Sequence, residues 1–304
     1  MNEPKVSIVI VNYNVKQLLI DCLISIYKYC NRFSFEIIVV DNDSYDGSVE
    51  AIHERFPEVV IIKNNINIGF PAGNNQAFKI VKGEYIMMLN PDTVLIDDSF
   101  SIMLDFIESH ADVSLVGPKL LNSDGSRQLS VWKFPRIKYI LAEMLYLNKL
   151  TPDRFYMSNK MDEPFEVESI SGAAMLFKKD LLDEVGLLNE YLFWIEDVDF
   201  CYRIKKKGGS VYYLPQTEVI HHIGGSAKTN YTISLSNQIF NKIKFYKVHQ
   251  NTIKKTIVVF LSFINASIRF IIFGLLSPFK RVYYLKSKAY LYIIPRVFNP
   301  PAKI

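Results

Sequence analysis

Four clusters of side chains in this 304-residue chain have types that hold metal ions, neutralise phosphates or move protons: Asn90-Pro91-Asp92, Asp41-Asn42, Glu196-Asp197 and His221-His222. Asp92 follows the apolar run Tyr85-Ile86-Met87-Met88-Leu89, which reads as a strand buried on both faces. Pro91 has no N–H to give a ladder, so the strand stops there and leaves one carboxylate at a rim. Open α/β sheets bind ligands beyond the carboxyl ends of their strands. Taken alone, Asn-Pro-Asp is an ordinary turn, and Asp41 to Ser44 is an ordinary helix-capping loop. Capping does not explain the recurrence. Val6 to Val11 runs into Asn12-Tyr13-Asn14, Phe35 to Val40 into Asp41-Asn42-Asp43-Ser44, and Val59 to Lys63 into Asn64 to Gly69. Four such ends at one crevice make a site.

The segment Asn67-Ile68-Gly69-Phe70-Pro71-Ala72-Gly73-Asn74-Asn75 opens a helix with two glycines and three asparagines. Glycines admit close backbone approach, and a helix N-terminus favours anions such as a diphosphate. A G-x-G-x-x-G turn after the first strand is absent, as is a Walker A lysine, which disfavours a nicotinamide enzyme or a P-loop NTPase. Further on, the aromatic pair Phe193-Trp194 precedes Glu196-Asp197. A carboxylate there can take a proton from a hydroxyl nucleophile. The competing view is that Glu196, Asp197 and Asp199 decorate the first turn of a helix. Asp199 fits that view, with Arg203 four residues on.

These residues need a frame to position them. Apolar runs at Val6 to Val11, Phe35 to Val40, Val59 to Lys63 and Tyr85 to Leu89 alternate with helical patterns at Val15 to Tyr29, Ser48 to Phe56, Ala72 to Val81 and Ser99 to His110. Strand-helix alternation with Val/Ile-rich strands predicts an α/β protein with a mostly parallel sheet covered on both faces. Further strands are expected at Val113 to Pro118, Ile170 to Lys178 and Val211 to Leu214, with an irregular stretch up to about Glu168. A helix should run from Glu196 to Lys207, stopped by Gly208-Gly209.

With 49% hydrophobic residues the chain buries a sizeable core. Three cysteines without paired spacing, Cys22, Cys30 and Cys201, support neither a disulfide framework nor a zinc site. The first apolar stretch is strand-sized, not leader-sized, so a cytoplasmic location is expected. The net charge of +4 hides an asymmetry: the last 86 residues carry 13 Lys and Arg and no Asp or Glu, whereas the first 218 carry 22 basic against 31 acidic residues. The run from Thr256 to Leu276 is long and apolar. Lys255, Ser262, Asn265 and Arg269 form one stripe on it, and an arginine near the middle of a spanning helix costs about 2.5 to 3.5 kcal/mol by insertion scales. A helix lying in the plane of an anionic membrane surface avoids that cost. A helical subdomain with a solvated basic face is the alternative, and nucleic-acid binding is disfavoured by the aliphatic content.

The strand ending in Asn12-Tyr13-Asn14, Val39-Val40-Asp41-Asn42, Asn67-Ile68-Gly69-Phe70, Asn90-Pro91-Asp92 and Phe193-Trp194-Ile195-Glu196-Asp197-Val198-Asp199 together resemble a family 2 glycosyltransferase of the rhamnosyltransferase-like branch, over about residues 5 to 226. The resemblance implies a GT-A fold: a catalytic domain at 1–228, with a nucleotide-sugar-binding half at 1–118 and an acceptor-binding half at 119–228, followed by a basic helical, membrane-associating tail at 229–304. By motif it assigns the nucleoside to Asp41, with Asn12, Asn14, Asn42, Gly69, Gly73, Asn74 and Asn90 on the donor side. The divalent cation, Mg²⁺ or Mn²⁺, goes to Asp92. His222, just before the Ile223-Gly224-Gly225-Ser226 loop, is the histidine expected near it. The catalytic base is Asp197 with Glu196 beside it, and Gly172 and Trp194 lie on the acceptor side. The motif is Asn-x-Asp where the family has Asp-x-Asp, which leaves one carboxylate to a metal that also takes water and phosphate ligands.

The expectation is thus an inverting, metal-dependent glycosyltransferase in cell-surface polysaccharide synthesis. It would act at the inner face of the cell membrane, moving a sugar, rhamnose from a dTDP donor by the branch it resembles, to a glycan or lipid-linked acceptor. A UDP-sugar donor is the alternative, as is a non-catalytic nucleotide-sugar-binding protein. A nucleotidyltransferase would need an early Gly-rich, Lys/Arg-containing loop that Val6 to Asn14 lacks.

Overall fold

The computed structural model describes residues 3–145, 147, 162–222 and 231–301. The Ile223 to Ser226 loop and the expected boundary at 228/229 lie outside the described residues. Those described fall into two compact units, one holding residues 3–134, 162–190 and 196–222 and the other 135–145, 147, 191–195 and 231–301.

The first unit opens as the sequence predicts: β1 (Val6–Asn12), α1 (Lys16–Tyr29), β2 (Phe35–Asn42), α2 (Ser48–Arg55), β3 (Val60–Asn64), α3 (Phe70–Phe78) and β4 (Tyr85–Leu89). Every residue of β1 and β4 is buried, which is why both read as unbroken apolar runs instead of alternating ones. After β4 come β5 (Thr93–Leu95), α4 (Ser99–Ser109), β6 (Val113–Leu121), β7 (Val131–Trp132), β8 (Phe165–Glu166), β9 (Ser169–Ile170) and β10 (Ala174–Lys178). The short α6 (Leu181–Val185), α7 (Glu196–Lys206) and the twelve-residue β11 (Ser210–His221) complete it.

The main sheet runs β3-β2-β1-β4-β10-β6-β11-β5, with β8 on β11, and β7 and β9 pair separately. Strands β3, β2, β1 and β4 are mutually parallel. Strand β10 is antiparallel to both β4 and β6, and β11 is parallel to β6, so the last residues of β1, β2, β3, β4, β6 and β11 share one edge. Because β10 runs the other way, its first residues reach that same edge. Ile8, Ile10, Leu19, Leu23, Val39, Met87 and Phe100 pack in the core beneath it. Burying each such side chain contributes roughly 1.5–3 kcal/mol.

The expected strand Ile170 to Lys178 is interrupted: Ser171-Gly172-Ala173 turns between β9 and β10. The expected strand Val211 to Leu214 is much longer, because β11 absorbs Pro215 in a register shift between Leu214 and Glu218 and continues to His221.

The second unit is helical: α5 (Ile137–Met144), α8 (Tyr231–His249), α9 (Thr252–Leu276) and α10 (Arg281–Ile293). Residues 135–145 and 191–195, which the sequence reading gave to the acceptor half, group with the C-terminal helices. Lys242 pairs with Glu143, Arg269 Nη2 donates to the Glu143 carbonyl at 3.1 Å, and Lys244 and Lys247 stand over the Tyr191 ring. Asn251 caps α9 by accepting the Lys254 N–H on its side chain, an Asn in its favoured role.

Candidate active site

At the shared strand edge, Asn12 and Asp41 stand opposite each other in the β1–β2 ladder. Asn12 Nδ2 donates to Asp41 Oδ1 at 2.8 Å and to Ser44 Oγ at 3.0 Å, and Asp41 Oδ2 accepts the Ser44 N–H at 2.9 Å. Both side chains are fully buried, and among the described residues Asn12 Oδ1 has no hydrogen-bond partner. Asn14 and Asp43 have φ of 54° and 66°, a region Asn and Asp tolerate better than most residues. Asn14 Oδ1 accepts the Tyr45 N–H at 2.9 Å, binding the ends of β1 and β2 to each other. Capping in this loop falls to Asp46, which accepts N–H groups from both Lys16 and Ser48.

A row of amides fixes the Gly-Asn segment beside this edge. Asn42 Nδ2 donates to the Gly69 carbonyl at 3.3 Å, Asn64 Nδ2 to Asn42 Oδ1 at 3.0 Å, and Asn64 and Gln76 exchange amide hydrogen bonds. Gly69, at φ 92°, occupies a conformation that disfavours a Cβ. Gly73 makes its close approach to the sheet: a Cβ there would stand 2.9 Å from Val11 Cγ1. Asn74 is buried and bonds the Phe70 carbonyl, while Asn75 clamps Leu188 through both its N–H and its carbonyl.

Beyond β4, the Asn90 N–H donates to the Ala173 carbonyl at 2.9 Å, joining this edge to the start of β10. The histidine ring beside Asp92 belongs to His221, whose Nε2 lies 3.2 Å from Asp92 Oδ1 and 3.2 Å from Asn90 Nδ2. Gln128 Nε2 donates to Asn122 Oδ1 and to the His221 carbonyl, which leaves Gln128 Oε1 facing His221 Nδ1 at 2.7 Å. Nδ1 therefore donates to Gln128, and Nε2 is the ring nitrogen turned towards Asp92. The metal-site expectation had fallen on His222. That residue instead donates its backbone N–H to the Asp92 carbonyl at 2.8 Å and bonds Ser123 Oγ through its ring. Side chains alternate along a strand, so only one of the two histidines can face Asp92. The register shift inside β11 hides from the sequence which one it is. Gln128, which sets the tautomer, carries no signal in the sequence.

Among the described residues no three His, Cys, Asp or Glu side chains gather as a metal cluster. Asp92 Oδ1 and His221 Nε2 nonetheless form a pair of the types a divalent cation takes, imidazole suiting Mn²⁺ and carboxylate either Mg²⁺ or Mn²⁺.

The downstream carboxylate joins the same edge through the β9–β10 turn. Gly172 donates its N–H to Asp197 Oδ2 at 3.0 Å, and Val198 donates to Asp197 Oδ1 at 2.7 Å. A side chain on Gly172 would crowd both Met88 Cε and Asp197 Cβ. Burial pushes the Asp197 carboxyl up to about 6, against the pull of those two N–H groups. Reaching Gly172 on another segment takes Asp197 beyond a helix decoration. Asp199, by contrast, is bonded by Arg203 Nε at 2.9 Å, and Arg203 Nη1 binds the Gly186 carbonyl, so this pair ties α7 to the end of α6. Glu196 is buried at the start of α7. Trp194, in the second unit's 191–195 segment, is half-exposed, has φ 79°, and meets Phe193 edge-on.

The fold matches that of a crystal structure of GalNAc-T7 with UDP, GalNAc and Mn²⁺, a GT-A protein, with a TM-score of 0.58 at 17% identity over 81% of this chain and 48% of that one. In sequence, the chain is 28% identical over 229 residues to the poly(ribitol-phosphate) beta-glucosyltransferase of Bacillus spizizenii, covering 69% of this chain and 34% of that protein. It is 27% identical over 205 residues to the N-acetylglucosaminyl-diphospho-decaprenol L-rhamnosyltransferase of Mycobacterium tuberculosis, covering 61% of this chain and 66% of that protein. The chain thus spans a third to two thirds of these relatives' length. The strand-edge residues from Asn12 to Asp92 and the Gly172 turn all fall within residues 7–186, the stretch that matches the model of Glycosyl transferase family 2, and on that match over more than half of its length the chain belongs to this family.

Proposed function

We propose that the protein is an inverting, metal-dependent glycosyltransferase that moves a sugar from a nucleotide donor to an acceptor hydroxyl in cell-surface polysaccharide synthesis. The observation that carries this reading is the Asp197 carboxylate, held by the Gly172 and Val198 N–H groups and raised to about 6, beside the edge that bears Asp92 and His221. A carboxyl of that pKa is ionised near neutral pH and still basic enough to accept a proton as a hydroxyl attacks. In the proposed step the acceptor oxygen forms a bond to the anomeric carbon, its proton passes to Asp197, and the bond to the donor diphosphate oxygen breaks. One displacement inverts the anomeric centre. Asp92 and His221 would hold the divalent cation, Mg²⁺ or Mn²⁺, which when bound neutralises charge on the departing diphosphate. Asp41 and its amide neighbours would shape the nucleoside end, and the Gly69 to Asn74 segment the diphosphate end. Gly172 would lie on the acceptor side.

The mycobacterial relative's name specifies a rhamnosyl transfer and a lipid-diphosphate acceptor. It supports rhamnose as the transferred sugar and a lipid-linked saccharide as the acceptor, while the dTDP-linked donor, a glycan acceptor and a cytoplasmic site at the inner membrane face are proposed from the family resemblance. The test is a thermal-shift panel of UDP-, GDP- and dTDP-sugars with Mg²⁺ or Mn²⁺, followed by transfer assays on the wild type and Asp197→Asn. The variant should keep donor stabilisation and lose transfer by about 10²–10⁴-fold. Undiminished transfer would remove Asp197 as the base, and a chain stabilised by no nucleotide sugar would end the enzyme reading.

A further inference from the structure

Helix α9 turns its polar side inward. Val258, Ser262 and Ala266 are buried, and Arg269 donates Nε–H to Asn265 Oδ1 at 2.7 Å and Nη2–H to the Glu143 carbonyl at 3.1 Å. Phe273 stacks on Tyr290 of α10 with centroids 5.9 Å apart, and the Ser287 hydroxyl reaches the Phe270 carbonyl. The arginine that seemed to forbid contact with lipid is therefore satisfied by its own unit.

The opposite side carries Ile253, Ile257, Phe260, Ile268, Ile271 and Leu275, all exposed, with Phe260 at 60%, Ile271 at 59% and Leu275 at 72%. Their spacing puts them on one face at 3.6 residues per turn. The stripe is about 33 Å long at 1.5 Å per residue. Exposed apolar surface this continuous marks an interaction site.

The charge around the stripe selects its occupant. Exposed Lys254 stands at its head, and exposed Lys280 and Arg281 follow Phe279 at its foot. On α10, exposed Tyr284, Leu285 and Leu291 are interleaved with Lys288. No Asp or Glu occurs after Glu218. A second copy would bring the same unopposed positive charge against itself, whereas anionic headgroups neutralise it. Helix α9 is also the one helix among the described residues long and apolar enough to cross a membrane. Its inner side, however, is taken by α5, α8 and α10, and α8 carries Lys242, Lys244 and Lys247. Hydrocarbon would not accept that bundle.

We propose that α9 lies along the plane of an anionic bilayer, with the Ile253-to-Leu275 stripe seated at the boundary of headgroups and acyl chains and the flanking Lys and Arg on the headgroups. This deepens the membrane-face reading of the proposed function, although the face itself is argued independently of the catalytic residues.

The test is flotation of the full chain with vesicles of phosphatidylcholine, alone or with phosphatidylglycerol, at low and high salt. The wild type should float with the anionic vesicles, and release by alkaline carbonate should mark it as peripheral. Ile257→Glu with Ile271→Glu, both on exposed positions, should keep the wild-type melting temperature and bind at least about tenfold more weakly. Lys280→Ala with Arg281→Ala should weaken binding about fivefold and flatten its salt dependence. The proposal is overturned by a wild type that ignores anionic vesicles, by a glutamate pair that floats like the wild type, by resistance to carbonate extraction, or by a solution dimer that the glutamate pair converts to monomer. Nucleotide-sugar stabilisation measured on the same preparations separates the two readings. Vesicle binding without nucleotide binding sinks the enzyme and leaves the face, and the reverse outcome does the opposite.

Discussion

Asp197 shows how a single side chain is tuned by what surrounds it. Burial raises its carboxyl to about 6 while the N–H groups of Gly172 and Val198 hold it down, so the group titrates just below neutrality. If it is the base, kcat/KM should rise with pH as one proton leaves and level off above about 6, and the residual activity of Asp197→Asn should lack that limb. Stability should move the other way. The folded state keeps the proton up to about 6, whereas the unfolded chain releases it near 3.8. Between those values the native state binds more protons, so the contribution is fully present below 3.8 and is lost as pH rises through about 6. Urea unfolding of wild type minus Asp197→Asn should show that decline, and a flat difference would mean the carboxyl is solvated. At the other carboxylate, His221→Ala and Gln128→Leu should each raise the cation concentration for half-maximal transfer by about tenfold or more, the second through loss of the Nδ1 partner. His222→Ala should leave that concentration nearly unchanged. Equal effects of the two histidines in a metal titration would refute the assignment of His221.

Helix α3 shows the same dependence one level up, since the glycines that open it serve the sheet as well as any ligand. A methyl at Gly73 would stand 2.9 Å and 3.0 Å from the two Val11 methyls. Gly73→Ala is therefore expected to cost about 1–3 kcal/mol by overpacking, and adding Val11→Ala should recover part of it in a double-mutant cycle read by urea unfolding. Strict additivity would mean that α3 does not bear on β1 in this way. Strands β1, β2, β3 and β4 were legible within about two residues because each is a short Val/Ile- or Met/Leu-rich run bounded by turn residues, doubly buried along β1 and β4 and partly exposed in β3. Where β10 sits was not. Its insertion between β4 and β6 is settled by pairings such as Leu176 with Met87 and Val116, partners 60 to 89 residues away in the chain. The length of β11 was missed because Pro215 reads as a strand end, whereas the register shift between Leu214 and Glu218 accommodates it. The same shift is why the sequence pointed to His222 where the structure brings His221 beside Asp92.

Across the whole chain, the charge asymmetry could be read from composition, but the direction α9 faces could not, because the carbonyl that receives Arg269 lies 126 residues earlier at Glu143. The likeness of the strand ends was legible for the opposite reason: each is a local motif, and parallel pairing alone carries β1, β2, β3 and β4 to one edge. This gives the candidate site a distributed signature that hydrogen exchange can read. Loop amides at residues 12–14, 41–45, 67–70, 90, 92 and 93, with Gly172, exchange through local openings. A nucleotide sugar with Mn²⁺ at about 100 times its Kd should stabilise the closed forms by about 2.7 kcal/mol and slow those amides by up to about 100-fold. Amides of α9, 25 residues in one helix, should exchange as before on adding the donor. Protection confined to any one of these loops would reduce the site to a single binding element. Protection at all of them together is the outcome that a crevice assembled from successive strand ends requires.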